Sequence, residues 1–205
     1  MEMDKFRRLF FGTNFLASLR YSFHYFPFRE AVRLPILVAW GCRAVKMGGK
    51  ITRECDVATG LLRLGYSGIG TQDCRRTRTL WQVTGEIVVR GKVGFGKGSR
   101  ISVTGKLTLG DGFHITGGSA IICRHRIDFG KNCLLSWDIL VMDSDFHKIL
   151  DAEGNVINQD RAILVGDRVW IGCRSTVLKG AVIPDDSVVA ACSVVTRSLT
   201  KPHCI

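Results

Sequence analysis

Proline is scarce, four in 205 residues against 23 glycines. That balance disfavours a bundle of long helices and favours a chain of tight corners. The eight cysteines (Cys42, Cys55, Cys74, Cys123, Cys133, Cys173, Cys192 and Cys204) form no CxxC pair, and no secretory signal precedes them. They read as small apolar residues in a reducing cytoplasm rather than as a disulfide framework. No apolar run is long enough to span a bilayer, and no recognised nucleic-acid motif accompanies the basic charge.

That charge, +11, draws nucleic acid, an anionic membrane surface or a phosphorylated cofactor alike. Its distribution says more. Lys5, Arg7, Arg8, Arg20, Arg29, Arg33, Arg43, Lys46 and Lys50 crowd the first quarter, among Phe6, Phe10, Phe15, Leu16, Leu19, Phe23 and Phe26. An Arg/Phe-rich amphipathic helix there either lies on a membrane surface or caps the domain behind it. The cap is favoured, since a fold with an open end needs one. Residues 1–48 are expected to form this segment and residues 49–205 the main domain.

In the last quarter Val165, Ile171, Val177, Ile183, Val189 and Val195 recur every six residues. Four positions after most of them stand small residues: Ser175, Ala181, Ser187 and Ser193. Neither helical nor strand alternation has a six-residue period with small residues at a fixed offset. The pattern predicts a parallel β-helix of triangular coils, three hexads per coil, with the aliphatic residue inside and the small one at a corner. Upstream, Phe95, Ile101, Leu107, Leu109, Ile115, Ile121, Ile127, Phe129, Leu135 and Val141 carry the same rhythm with two-residue offsets. Two stretches depart from it: TQDCRRTRTLW (Thr71–Trp81) and residues 143–161, which open with DSDFHKIL. An excursion leaves the hydrogen-bonded stack and must be held by something else, and such loops carry function.

The run VGDRVWIGCRSTVLKGAVIPDDSVVAACSVVTRSL, preceded by LSWDILVMDSDFHKI, resembles the hexapeptide-repeat acyltransferases, and most closely the acetyltransferases of capsule, exopolysaccharide and O-antigen clusters. The resemblance implies an all-β, left-handed parallel β-helix with a short N-terminal helical segment. The hand comes from the family, since periodicity cannot show it. It also implies an acetyl-CoA-dependent acetyltransferase acting on a sugar or glycan precursor, without a metal or a nucleic-acid partner. A homotrimer is expected, with each active site between two subunits, in the cytoplasm or peripheral at the inner membrane. The alternative is a catalytically silent trimeric scaffold or membrane-docking module.

Acetyl-CoA is already activated, so the enzyme's main task is to take a proton from the acceptor as it attacks. Imidazole suits that near neutrality. His147 stands in the DxDxH form of the polysaccharide acetyltransferases and is the expected base, with Asp143 or Asp145 expected to orient its ring. Aligned on VWIG, the loop of galactoside acetyltransferases instead puts its catalytic histidine nearer Ser144. The resemblance further assigns Cys173, Ala191, Thr196 and Arg197 to the cofactor, with Trp170 walling its thioester end. Trp137, Asp138 and His114 are the candidates for contact with the acceptor, and His125 is a second coil histidine. A zinc site of His114, His125 and His147 is the disfavoured rival, because the close histidine pair of γ-class carbonic anhydrases is absent. Relatives continue past KPHCI with a Gly-x-Pro-Ala-like turn and a basic segment that completes the cofactor site, so the expectation is either that this enzyme has lost that part or that the chain is shortened there.

Overall fold

The computed structural model describes residues 12–70 and 77–199. Within them the chain winds into a parallel β-helix with three sheets. The first sheet stacks β1 (Ile36–Val38), β4 (Leu62–Leu64), β7 (Val93–Lys97), β10 (His114–Gly117), β13 (Leu134–Trp137), β16 (Trp170–Ile171) and β19 (Val188–Val189). The second stacks β2 (Cys42–Met47), β5 (Thr79–Val83), β8 (Arg100–Val103), β11 (Ala120–Cys123), β14 (Leu140–Met142), β17 (Thr176–Leu178) and β20 (Val194–Val195). The third runs from β3 (Lys50–Arg53) through β6 (Glu86–Val89), β9 (Lys106–Leu109), β12 (Arg126–Phe129) and β15 (Ile163–Val165) to β18 (Val182–Ile183).

Every aliphatic residue of the six-residue series from Val165 to Val195 points into the coil and is buried. Ser175, Ala181 and Ser187 are buried at the corners, where only a small side chain fits. The upstream offset has a simple cause: the third sheet takes two inward residues per coil, Leu107 and Leu109 or Ile127 and Phe129. Successive inward residues Phe95, Ile115 and Leu135 are therefore 20 apart, whereas Ile171 and Val189 are 18 apart. The extra pair sits at the corner between the second and third sheets. Along the axis Trp81, Phe95, Phe113 and Phe129 form a continuous aromatic stack, with ring centroids 6.2, 5.9 and 4.7 Å apart.

The coil begins earlier than the hexads suggested. β1 and β2 already pair in register with β4 and β5, so the boundary falls near residue 36 rather than 49. The segment LPILVAWGCRAVKM hides its inward residues among a proline, a tryptophan and basic side chains. The departure at Thr71–Trp81 is likewise shorter than read: Thr79 and Trp81 belong to β5 and are buried, and residues 71–76 lie outside the described residues.

The open edge of β1 is capped by α1 (Phe15–Tyr25), with α2 (Phe28–Ala31) following. Asn14 starts α1, its side-chain oxygen accepting the Ala17 N–H at 3.0 Å. Ser18 and Ser22, one turn apart, accept the backbone N–H groups of Val38 and Ile36 at 2.9 and 3.2 Å. These hydroxyls satisfy an edge that would otherwise be left unpaired. Tyr21 packs on Trp81, and the Trp81 indole donates to Tyr25 Oη at 3.0 Å. The outer side of the same helix is apolar and exposed: Leu16 is 81% accessible, with Phe15, Leu19 and Phe23 beside it and Phe28 next in the chain. No helix among the described residues is long and apolar enough to cross a membrane.

Candidate active site

The excursion leaves the coil between β14 and β15, at the corner between the second and third sheets. Its point of departure follows from the register. Val103, Cys123 and Asp143 each stand two residues after the inward residues Ile101, Ile121 and Val141. In lower coils the two corner residues give their N–H groups to the carbonyl above: Thr84 and Gly85 to Val103, Thr104 and Gly105 to Cys123. At the next corner the chain has turned away, and Asp143 substitutes its side chain for the missing carbonyl. One carboxylate oxygen accepts the Arg124 N–H at 2.7 Å and the other the His125 N–H at 2.9 Å. The residue is 0% accessible.

This corrects one expectation. Asp143 is committed to two backbone amides and does not orient the imidazole of His147. Asp145 is committed as well, for its carboxylate takes the Lys179 ammonium and, at 2.9 Å, the Asn158 amide. Both interactions hold its carboxyl below the ordinary value of 3.8, the lysine contributing most. Lys179 stands one register position beyond Leu178, the partner of Met142, so the ion pair ties the loop to the next coil.

The excursion itself is braced. An antiparallel bridge joins Leu150 to Val156 around a turn closed by Asp151, which accepts the N–H groups of Glu153 and Asn155. Asn158 closes the base: its oxygen accepts the Ile149 N–H at 2.7 Å and its amide donates to the His147 carbonyl at 2.7 Å. His147 is thus fixed by its backbone while its ring is exposed, with no hydrogen-bond partner among the described residues. The preceding Phe146 has φ +62°, an unfavourable backbone for a bulky residue. Ser144 Oγ accepts its N–H at 3.0 Å, and the Arg124 guanidinium lies 5.6 Å from its ring centre. Beside the loop is a polar cleft of about 560 Å³ lined by Asp145, Asn158, Arg161 and Lys179.

The other expected residues fall in two places. Trp137, Cys173 and Ala191 follow one another along the corner between the first and second sheets, as the pairings of Leu135, Ile171 and Val189 dictate. Asp138 is a corner residue there, with φ +56°, in line with Gly118, Arg174 and Cys192, whose φ values are +66°, +58° and +62°. Trp170 lies on the outer face of the first sheet and donates to Ser136 Oγ at 3.0 Å. Thr196 and Arg197 are exposed beyond β20, on the excursion's side of the coil. His114 lies on the first sheet and His125 at the corner that Asp143 clamps. Within one chain, then, the residues expected around His147 and those expected along the cofactor stand mostly at different edges. No group of three or more His, Cys, Asp or Glu side chains among the described residues is arranged to hold a metal ion.

Lys179, Asn158, Ser144 and Arg124 were not foreseen from the sequence. The equal 20-residue spacing of Val103, Cys123 and Asp143 was the available signal that Asp143 faces inward. Nothing local marked Asn158 or Lys179, because their partner lies 13 and 34 residues away.

A hexad-built parallel β-helix interrupted by a histidine-bearing loop is the architecture the sequence resemblance led one to expect. No family model matches the chain. Over 81 residues it is 33% identical to a polysialic acid O-acetyltransferase of Neisseria meningitidis, covering 39% of this chain and 35% of that protein. Over 93 residues it is 26% identical to the polysialic acid O-acetyltransferase of Escherichia coli O1:K1 / APEC, covering 45% of this chain and 29% of that one. The matched stretches thus span about a third of the length of these relatives. Among solved structures, the polySia specific acetyltransferase NeuO aligns over 80% of this chain and 70% of its own, at 21% identity and a TM-score of 0.42. A mutant of AntD, an N-acyltransferase from Bacillus cereus in complex with dTDP and Coenzyme A, aligns over 81% and 73%, at 16% identity and 0.46. The chain is thus similar in sequence, over part of its length, to polysialic acid O-acetyltransferases.

Proposed function

We propose that the chain is an acetyltransferase that moves an acetyl group from acetyl-CoA to a hydroxyl of a sugar or glycan precursor in surface polysaccharide synthesis. The observation that carries this is the 33% identity with a polysialic acid O-acetyltransferase. The exposed imidazole of His147, on a loop braced at its backbone, is consistent with it.

In this reading His147 takes the proton of the acceptor hydroxyl as its oxygen bonds to the thioester carbon. The C–S bond then breaks, and the proton passes to the departing CoA thiolate. Asp145 and Asn158 are positioning residues that hold the loop, and Asp143 anchors its root. Because neither aspartate reaches the ring, the group that orients the imidazole comes from the bound acceptor or from a neighbouring subunit. A homotrimer accounts for this, since it would set the loop of one subunit against the Trp170, Cys173 and Ala191 edge of the next. The small side chains of Cys173 and Ala191 allow the narrow pantetheine arm to approach the backbone, and Arg197 with Thr196 suits its phosphates. Trp137 and Asp138, near the same corner, and His114, on the first sheet, are assigned to the acceptor. The protein works in the cytoplasm, with α1 resting on the inner face of the membrane.

The test is release of CoA thiol and acetylation of surface-polysaccharide oligosaccharides by the purified protein. Replacing His147 by Ala should lower turnover by about 10²–10⁴-fold with CoA affinity nearly unchanged. A wild-type protein that releases no CoA with any acceptor would favour the silent scaffold.

A further inference from the structure

We infer that the hollow around Gly94, on the outer face of the first sheet, is an anchoring subsite for a carboxylate-bearing sugar unit of the acceptor. This rests on the glycan-acetylating reading above. Arg63, Gly94 and His114 stand in register on β4, β7 and β10. The missing side chain at Gly94 opens the face: a Cβ there would come within 2.5 Å of His114 Nδ1, so the imidazole lies down across the coil into the space. The result is a cavity of about 610 Å³, with Phe113 in its lining, Tyr66 at its side and Lys92 at its rim. That volume is in the range of small-ligand sites.

Its charge is what selects the ligand. Several cations of this protein are spent on carboxylates: Arg53 on Glu30, Arg90 on Glu54, Arg126 on Asp128, Arg168 on Asp186 and Lys179 on Asp145. Arg63 and Lys92 both line the hollow, are exposed, and have no ion-pair partner among the described residues. The carboxylate of Asp111 accepts the backbone N–H of Lys92 at 2.7 Å. A guanidinium fork presents two parallel donors and matches a carboxylate.

His114 supplies something different. Its ring has no hydrogen-bond partner among the described residues, and burial pushes its pKa below the ordinary 6.5. Near neutrality it is an uncharged imidazole with one donor and one acceptor, suited to a sugar hydroxyl rather than to a second anion. The hollow lies on a different face from the excursion, so the unit seated here is not the one acetylated by the same chain's His147. It gives a polymeric acceptor a remote grip, the kind of binding energy that an enzyme can use at a distant reacting centre.

Calorimetry with the full chain tests this, using an oligomer of sialic acid, an unsubstituted dextran oligomer of equal length, and inorganic phosphate. The sialic acid oligomer should bind at least about tenfold more tightly than either of the others. The Arg63→Ala and Lys92→Ala variants, both surface changes, should each weaken it by about tenfold without moving the melting midpoint. The Gly94→Val variant should abolish binding by filling the hollow; if it fails to fold, the two alanine variants decide. Equal binding of dextran, equal binding of phosphate, or wild-type affinity in both alanine variants would overturn the subsite. Binding that depends on Arg63 and Lys92 without any acetyl transfer would instead retain the subsite and discard the acetyltransferase reading. Transfer with a KM indifferent to both residues would do the reverse.

Discussion

Replacing Asp143 by Asn separates an anchor from a catalytic orienter. The carboxylate is wholly inaccessible and accepts two backbone N–H groups, at 2.7 and 2.9 Å. Asparagine keeps one acceptor but turns an NH₂ group toward the other amide. One charge-assisted hydrogen bond is lost, and an N–H that faces the buried side chain is left without a partner. Such a loss costs about 1.5–3 kcal/mol for the bond, with the stranded donor adding to it, so a destabilisation of about 3 kcal/mol is expected. For a chain of this size that is roughly 6–12 °C in melting temperature. Thermal and urea unfolding of the two proteins, alongside turnover, measure it. The His147 backbone is braced separately by Asn158, so turnover below the melting range should fall far less than in the His147→Ala protein. An Asp143→Asn protein with native stability and turnover reduced by orders of magnitude would refute this reasoning and return Asp143 to the imidazole.

The Asp145–Lys179 ion pair gives a pH dependence with a definite sign. Because the folded-state pKa of Asp145 lies below 3.8, its contribution to holding the loop is complete above the ordinary carboxylate range and is lost as pH falls through the lowered value; the protection of the Ile149 and Ile157 amides, relative to their intrinsic exchange rate at each pH, should therefore fall only in acid. In the Lys179→Met protein the same amides should exchange faster at neutral pH, and unchanged exchange would show that the ion pair does not brace the loop. Leu16→Ser with Leu19→Ser should abolish flotation with anionic vesicles while leaving the melting midpoint in place, because the capping contacts lie on the other side of α1. Retained flotation would remove the membrane role. Sedimentation should give a trimer, and a fully active monomer would contradict a site shared between subunits.

The fold was legible because a β-helix repeats its environment. Each coil asks for the same inward aliphatic and the same small corner, so Val165, Ile171 and Val177 announce the architecture without any knowledge of what they touch. Reading failed where the repeat is occupied by atypical residues. β1 and β2 were missed for that reason, and the hand of the coil is a property that no period can express. His147 stood out because it lies where the rhythm stops.

What the sequence by itself determined is the inward pattern, the corners, and the place where the chain leaves the stack, all of them consequences of local spacing. Only the tertiary structure decided what each polar residue is for. Asp143 and Asp145 are two positions apart in one motif, yet one replaces a lost backbone acceptor of the coil below and the other grips a lysine on the coil above. Likewise α1 could be read as a cap or as a membrane-facing helix, and the structure gives it one buried serine-and-tyrosine side and one exposed apolar side. These roles depend on partners 13 to 34 residues distant, brought together by the stacking of coils, and sequence proximity carries no information about them.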